Sequence, residues 1–448
     1  MCHVNILWEG DTLPLATAGQ MLGGHTDYRD IWFDKPPLVP VFYLLCGARP
    51  GWPLRLEDAF YALLCCWVVC RFARDLWGNR EGMWAAGLLG FYLIFYLPSA
   101  VIPVTSDLLM LAPHAAAVWM ASKRRPFWSG ALAAVAFWIN PKGVFVAAVC
   151  LLWYPAGALP MAAGWAAVSA TAAGMLWSCG ALGPYWREVW TWGRIYAGDT
   201  FLAQPVRDGF LRTLNWAGFH GAAVAAAAWV TARTLRAKTW TPHLRWVLWG
   251  GISLAGVAAG WRFFPRYYFL LLPVVVLMAA RGFALLGRRR GLVALLLLIP
   301  LVRFGPTYAK ALTDAGWPDV AMDRDSRAAA ALIREASRPG DTLFVWGYRP
   351  EMYAYTRLSA ATMFLDSQPL TGVPADRHLS HSAPVETVEA RRHRAALAAS
   401  QPTFIADGLS AYNPRLAIAQ YPDLSLWFTQ YREVGRTPQT VIYQRLAR

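Results

Sequence analysis

Charge is scarce in this chain. Of its 448 residues only 15% are Asp, Glu, Lys or Arg, while 56% are hydrophobic. A soluble chain carries about a quarter charged residues, so the deficit, with a mean hydropathy of +0.31, argues against an ordinary soluble protein and for a membrane class. Cysteine is sparse too. The seven (Cys2, Cys46, Cys65, Cys66, Cys70, Cys150 and Cys179) form no CxxC pair, have no His at zinc spacing and leave everything after Cys179 without a thiol. That excludes a disulfide framework, and they read as small buried hydrophobes. No Gly-rich stretch has P-loop spacing: Gly282 to Gly291 is a basic turn, so there is no nucleotide signature.

What is present is a set of apolar runs separated by short basic clusters. The net charge of +15 could suit nucleic acid, but the Arg residues sit between apolar runs with no basic domain or aromatic-basic array, which argues against nucleic-acid binding. The runs fall near residues 55–72, 81–98, 107–121, 127–139, 143–154, 158–180, 212–231, 245–260, 266–281 and 291–304. Several are shorter than the roughly 20 residues of an upright span. The expectation is an α-helical polytopic bundle of about ten spans, residues 1–306. With residues 1–54 outside, the dense clusters Arg71/Arg74/Arg80, Lys123–Arg125, Arg233/Arg236/Lys238/Arg245 and Arg281/Arg288–Arg290 all face the cytoplasm, as the positive-inside rule demands. A bacterial inner membrane is the expected location. The run Pro36–Gly47 offers about ten helical residues, roughly 15 Å at 1.5 Å each, and reads as a juxtamembrane or re-entrant helix.

Two further expectations concern the ends. Met1 to Trp8 is a short apolar stub running straight into Glu9-Gly10-Asp11. It lacks the h-region of a signal peptide, and a preceding membrane helix is expected upstream. After Phe304 the texture turns polar and mixed. Residues 307–448 read as a small periplasmic α/β domain, with helices over Asp323–Ser337 and Glu386–Ser400 and strands at Thr342–Trp346, Thr403–Ala406 and Thr440–Gln444.

Under this topology, ionisable groups from five segments converge on the outer side: Glu9 and Asp11, Asp34 and Lys35, Asp107, Lys142, Arg262 and Arg266 with Tyr267. Such groups at membrane depth are functional candidates by default. Each also has a plainer reading. Glu9 and Asp11 would be solvated loop acids, Asp34 and Lys35 a mutual ion pair, Asp107 an N-cap, and Lys142 a snorkelling side chain. Arg262 and Arg266, with Tyr267 and Tyr268, would be interfacial anchors. His114, on the same helical face as Asp107, reads as a packed or hydrogen-bonded histidine. Trp186, Trp190 and Trp192 suggest an amphipathic surface helix between residues 181 and 211, where a sugar or lipid platform would also fit.

The stretches Trp8-Glu9-Gly10-Asp11, Tyr28-Arg29-Asp30 and Asp34-Lys35-Pro36-Pro37-Leu38 resemble the first periplasmic loop of family 39-type GT-C glycosyltransferases. That group includes protein O-mannosyltransferases and lipid A aminoarabinose transferases. Asp107 resembles the second acidic position of that pattern, Lys142-Gly143 its Lys-Gly element and Arg262 to Tyr268 its later Arg/His-Tyr element. The likeness spans roughly residues 8–285, and the chain departs from the pattern in reading Glu-Gly-Asp for an adjacent acidic pair. The resemblance implies transfer of a sugar from a polyprenyl-phosphate donor to an acceptor hydroxyl of a lipid, glycan or protein, with inversion. Asp11 or Glu9 would be the general base, Asp11 fitting the spacing back from Gly24 slightly better. Asp107 would position a substrate, and Lys35, Lys142, Arg262, Arg266 and Tyr267 would hold the donor phosphate beside Asp34. A divalent metal is neither required by a donor with a single phosphate nor indicated by any ligand cluster.

Rival readings make different demands. A lipid-linked sugar flippase would place polar residues at mid-membrane and repeat its halves, and neither pattern is visible. An O-antigen polymerase or ligase would carry a large loop between spans, whereas the polar region here is terminal. A membrane scaffold would leave the one-sided acids without a role.

Overall fold

The computed structural model describes all residues except 1–3, 96–102, 199, 201, 237–239, 314–317, 374–381 and 447–448. The chain opens with α1 (Glu9–Leu22) and α2 (Leu38–Leu44), then a long α3 (Trp52–Trp77) and α4 (Asn79–Ile94). The stretch read above as an outer loop from Glu9 therefore begins as a 14-residue helix, with Glu9 and Asp11 in its first turn. Acids there are favoured by the unsatisfied N–H groups at a helix start. The end of the expected 81–98 run lies outside the described residues.

Five helices follow: α5 (Ser106–Leu109), α6 (Leu111–Ser122), α7 (Pro126–Ile139), α8 (Gly143–Trp153) and the longer α9 (Ala158–Ser178). The basic Lys123–Arg125 turn and the Asn140–Lys142 turn lie at opposite ends of α7. Next come α10 (Leu182–Tyr185), a π-helical turn at Trp186–Thr191, α11 (Trp192–Gly198), α12 (Pro205–Phe219), α13 (Gly221–Arg236) and α14 (Trp240–Ala258). The apolar run at 212–231 is thus two helices broken at His220. A 3-10 segment, Pro265–Leu270, leads into α15 (Leu272–Leu285), then α16 (Arg290–Leu295) and α17 (Leu298–Thr313). Among the described residues one helix is long and apolar enough to cross a membrane, Pro155–Ser178 at 24 residues, about 36 Å at 1.5 Å per residue. Leu63, Trp67, Met83, Leu159 and Trp177 are among the large apolar side chains left on the outside of the helices. Polar ties run inside: Arg281 on α15 pairs with buried Glu81 on α4 at 2.5 Å, and Trp249 Nε1 donates to buried His114 at 3.1 Å, so His114 is packed and hydrogen-bonded.

The remainder builds α18 (Pro318–Ala336), β1 (Thr342–Trp346), α19 (Glu351–Thr356), β2 (Ser359–Ala360), α20 (Gln368–Thr371), α21 (Val388–Ser400), β3 (Phe404–Asp407), α22 (Pro422–Phe428), β4 (Tyr431–Arg436) and β5 (Val441–Arg445). The five-stranded sheet has the order β2-β1-β3-β5-β4. β1 is parallel to β2 and β3, while β5 runs antiparallel to β3 and β4. Alternation across the pleat divides β1 between two cores. Leu343 and Val345 join the core shared with the helical bundle, and Phe344 and Trp346 join a second one on the other face. Trp32, from the segment between α1 and α2, belongs to that second core.

Hydrogen bonds join the sheet region to the start of the chain. The Gln20 side chain donates to the Leu358 carbonyl at 3.2 Å and accepts from Ala360 N at 2.9 Å. Trp32 N donates to the Met363 carbonyl at 2.7 Å, and Leu7 N to Asp323 Oδ1 at 3.0 Å.

Candidate active site

Two glycines set the geometry. A Cβ on Gly10 would lie 2.5 Å from Pro103 Cγ and 2.6 Å from Thr105 Cγ2, so only glycine lets the first turn of α1 rest on the segment that leads into Asp107. A Cβ on Gly143 would lie 2.3 Å from the backbone nitrogen of Phe137. Its absence lets α8 start against the end of α7 and holds Lys142 in the tight turn between them. The Glu-Gly-Asp and Lys-Gly spacings are packing requirements.

Asp107 is buried. Its Oδ1 accepts from Asn140 Nδ2 at 3.0 Å, and Asn140 Oδ1 accepts from Lys142 N at 3.0 Å. Asn140 therefore ties the carboxylate to the lysine turn. The other oxygen of Asp107 lies 3.6 Å from Arg266 Nε. Lys142 Nζ makes no hydrogen bond and sits 3.0 Å from the centre of the Tyr267 ring. Removal from water pulls the ammonium down to about 8; Asp107 opposes the fall and Arg266 adds to it.

Glu9 retains solvent contact, yet the protein packed around it disfavours its charge and raises the carboxyl above its ordinary range. Arg266 pulls it back and Asp319 raises it further. Arg266 is thus within electrostatic reach of both Glu9 and Asp107. Asp11 has different company. It is fully buried and accepts from Arg55 at 2.9 Å and from the Tyr43 hydroxyl at 3.1 Å. Arg55 also holds Asp58 at 2.6 Å.

The Asp34–Lys35 pair closes at 2.5 Å. Its loop is fixed by Tyr28, whose hydroxyl donates to the Lys35 carbonyl at 2.6 Å, and by Glu188, which accepts from Phe33 N at 2.9 Å. Tyr28 does this from a left-handed backbone, φ +63°. Lys35 Nζ lies 5.8 Å from the centre of the Tyr196 ring, and the Arg262 guanidinium lies 3.7 Å from the same centre. Arg262 is buried and gives two hydrogen bonds to the Tyr196 carbonyl, at 3.1 and 2.8 Å. Trp261 and Phe263 on either side hold positive φ, +52° and +47°, a strained backbone for bulky residues in the segment that presents Arg262 and Arg266.

Residues that sequence reasoning missed complete the cluster. Tyr348, just past β1, feels the charges of Glu9, Asp366, Asp34 and Arg266, so it faces four segments at once. Asp366 is buried, and its carboxyl is pushed up to about 7, first by desolvation and then by Asp34, while hydrogen bonds from Gln368 oppose the rise. Asn140 and Tyr196 carry no motif. The bend at Gly347, φ +122°, was the available signal for Tyr348, since a glycine directly after a buried strand marks a sharp turn. The structure thus gathers Glu9, Asp107, Lys142, Arg266 and Tyr267 with Tyr348, and joins Asp34, Lys35 and Arg262 to them through Tyr196. It commits Asp11 to Arg55 and Tyr43.

No family model matches the chain, and no curated protein matches it. Solved structures do. ArnT from Cupriavidus metallidurans bound to undecaprenyl phosphate has a TM-score of 0.61, at 13% identity over 99% of this chain and 94% of that one. The same protein in the apo state gives 0.58 at 14% identity, over 98% and 93%. The oligosaccharyltransferase AglB from Archaeoglobus fulgidus, in complex with an inhibitory peptide and a dolichol-phosphate, gives 0.49 at 13% identity, over 97% and 70%. At such identities the likeness to ArnT is one of fold, and that fold is GT-C.

Proposed function

We propose that this chain is a membrane glycosyltransferase that moves a sugar from a polyprenyl-phosphate donor to an acceptor hydroxyl at the outer face of a bacterial inner membrane. The observation that carries the reading is the position of Arg266, 3.6 Å from Asp107 and facing Glu9, beside a lysine whose amine has no hydrogen-bond partner. The fold shared with ArnT, which binds undecaprenyl phosphate, supports the donor class. The exposed Leu, Trp and Met side chains on the helices support a bilayer around them. We take residues 1–306 as a polytopic domain of about ten spans, with residues 307–448 a domain on the outer side. The acceptor is a hydroxyl of a lipid, glycan or protein.

The chemistry follows from these groups. The donor's anomeric carbon is bonded to a phosphate oxygen, and its departure leaves growing negative charge on that phosphate. Arg266 offers a forked donor and Lys142 a point charge for it, and fixed donors of this kind contribute roughly 10²–10³ in rate. Glu9, with its carboxyl raised above its ordinary range, takes the proton of the acceptor hydroxyl as that oxygen bonds to the anomeric carbon, a contribution of roughly 10²–10⁴. Attack opposite the leaving phosphate inverts the centre. Asp107, braced by Asn140, holds Arg266 in line. We assign the base to Glu9 in place of Asp11 because Asp11 is fully buried and already bound by Arg55 and Tyr43. The donor and acceptor need no nucleotide and no metal bridge in this scheme.

The test uses the full-length protein in membranes with radiolabelled polyprenyl-phosphate sugars. Glu9→Gln and Asp107→Asn, expressed at wild-type levels, should each abolish label transfer. Undiminished transfer in both removes the assignment, and lipid movement across the bilayer without transfer makes the protein a flippase.

A further inference from the structure

A cavity of about 810 Å³ opens between the end of α1, α2 and the first turns of α3, and none of the residues of the candidate active site lines it. Its wall is mostly apolar, with Leu45, Leu56, Phe60 and Leu64 presenting exposed side chains. Two charged residues share it: Arg49, in the turn between α2 and α3, and Glu57, in the second turn of α3. Both carboxylate oxygens of Glu57 are shielded from solvent; Cys46, on the same cavity wall, is the donor beside them, and no cation offsets their charge. The guanidinium two residues away does not relieve this. Arg55 gives Nη1 to Asp58 and Nη2 to Asp11 and the Ile6 carbonyl.

A desolvated carboxylate with no cation to pair with is costly, and a cationic N–H donor entering from the cavity would remove that cost. Arg49, exposed at the same cavity, calls for an anion. The wall between them calls for hydrocarbon. One ligand class satisfies all three: a zwitterionic aminophospholipid, with a primary ammonium, a phosphodiester and acyl chains. We propose that this cavity is a binding site for such a lipid, the ammonium on Glu57, the phosphate against Arg49 and a chain along Leu45, Leu56, Phe60 and Leu64. A trimethylammonium headgroup offers no N–H to Glu57, and an anionic glycerol headgroup offers no cation. The site is independent of the transfer chemistry. It does sit on the turns of α3 that reach α1 through Arg55 and Asp11, so an occupied cavity braces the helix that carries Glu9.

The test is competition in nanodiscs containing equal phosphatidylethanolamine, phosphatidylcholine and phosphatidylglycerol, with lipids retained by the released full-length protein counted by native mass spectrometry. A charge-assisted hydrogen bond to Glu57 should favour phosphatidylethanolamine over either competitor by about tenfold, and Glu57→Gln should bring its retention down to that of phosphatidylcholine. Equal retention of the three lipids by the wild type, or a preference for phosphatidylglycerol, overturns the proposal without recourse to the variant. Unchanged selectivity in a folded Glu57→Gln protein overturns it as well.

Discussion

The amine of Lys142 rests 3.0 Å from the centre of the Tyr267 ring and makes no hydrogen bond. A cation held against an aromatic face with its hydrogen-bonding capacity unused is poised for an incoming anion. Desolvation, the largest influence on it, has lowered its pKa to about 8.

The pH dependence follows from that placement. The lysine cation is complete below its pKa and is lost as pH rises through about 8. Glu9, raised above its ordinary range, loses its carboxylate on acidification at a higher pH than an ordinary Glu would. Transfer kcat/KM should therefore trace a bell with an alkaline limb near pH 8. Lys142→Arg, charged at every accessible pH, should remove that limb while leaving the acid one. An unchanged alkaline limb in the variant would assign it to another group.

Glu9 and Asp11 should respond to substitution in opposite ways. Glu9→Gln should leave the thermal midpoint near wild type and lower turnover by roughly 10²–10⁴. Asp11→Asn weakens a buried pair whose arginine stays in place, a loss of about 3 kcal/mol, and should appear first as lower yield and a lower melting temperature in detergent. A stable but inactive Asp11→Asn protein would return the base to Asp11.

Gly10→Ala and Gly143→Ala test the packing beneath the site. Each puts a carbon within 2.5 Å of Pro103 Cγ or the Phe137 backbone. Overpacking of this kind costs about 1–3 kcal/mol. Transfer activity should fall further than the stability loss alone would dictate, because the displaced elements carry Glu9 and Lys142. Wild-type kinetics in either variant would mean these contacts do not position the site.

Gln20 clasps the sheet region to α1. Gln20→Ala removes two hydrogen bonds, to Leu358 and Ala360, about 1–3 kcal/mol in a partly buried setting. Amide hydrogen exchange should quicken across residues 358–366, with KM raised more than kcat is lowered if Tyr348 and Asp366 line the substrate's path.

The helical bundle and the polar end region were legible because their signals are local. Apolar runs bounded by Arg clusters mark helices, and Pro339-Gly340-Asp341 announces β1. Breaks within a run were harder to read: 212–231 reads as one run, although Gly218 and Gly221 flank His220, where it divides into two helices and where Trp216 stacks on the His220 ring. β4 was missed because Arg432, Glu433 and Arg436 on an exposed edge carry no apolar alternation. In the candidate site, the charged residues could be gathered by counting which side each segment faces. Choosing between Glu9 and Asp11 needed the partners of each, and Arg55 lies 44 residues from Asp11. The Gly347 turn could mark Tyr348 but not its neighbours: Tyr348 meets Glu9 because the end region is fastened to the start of the chain by contacts more than 300 residues apart.

The clasp at Gln20 also changes what the sheet presents to its surroundings. β2 is a two-residue edge strand, and an uncovered edge is a template for an extended segment from another chain. Here a single amide imitates the next strand, giving one N–H and taking another just as a peptide would. That margin of the sheet is closed to β-augmentation by part of its own chain, so a partner that pairs strand to strand is left with β4, whose exposed charges discourage an indiscriminate match.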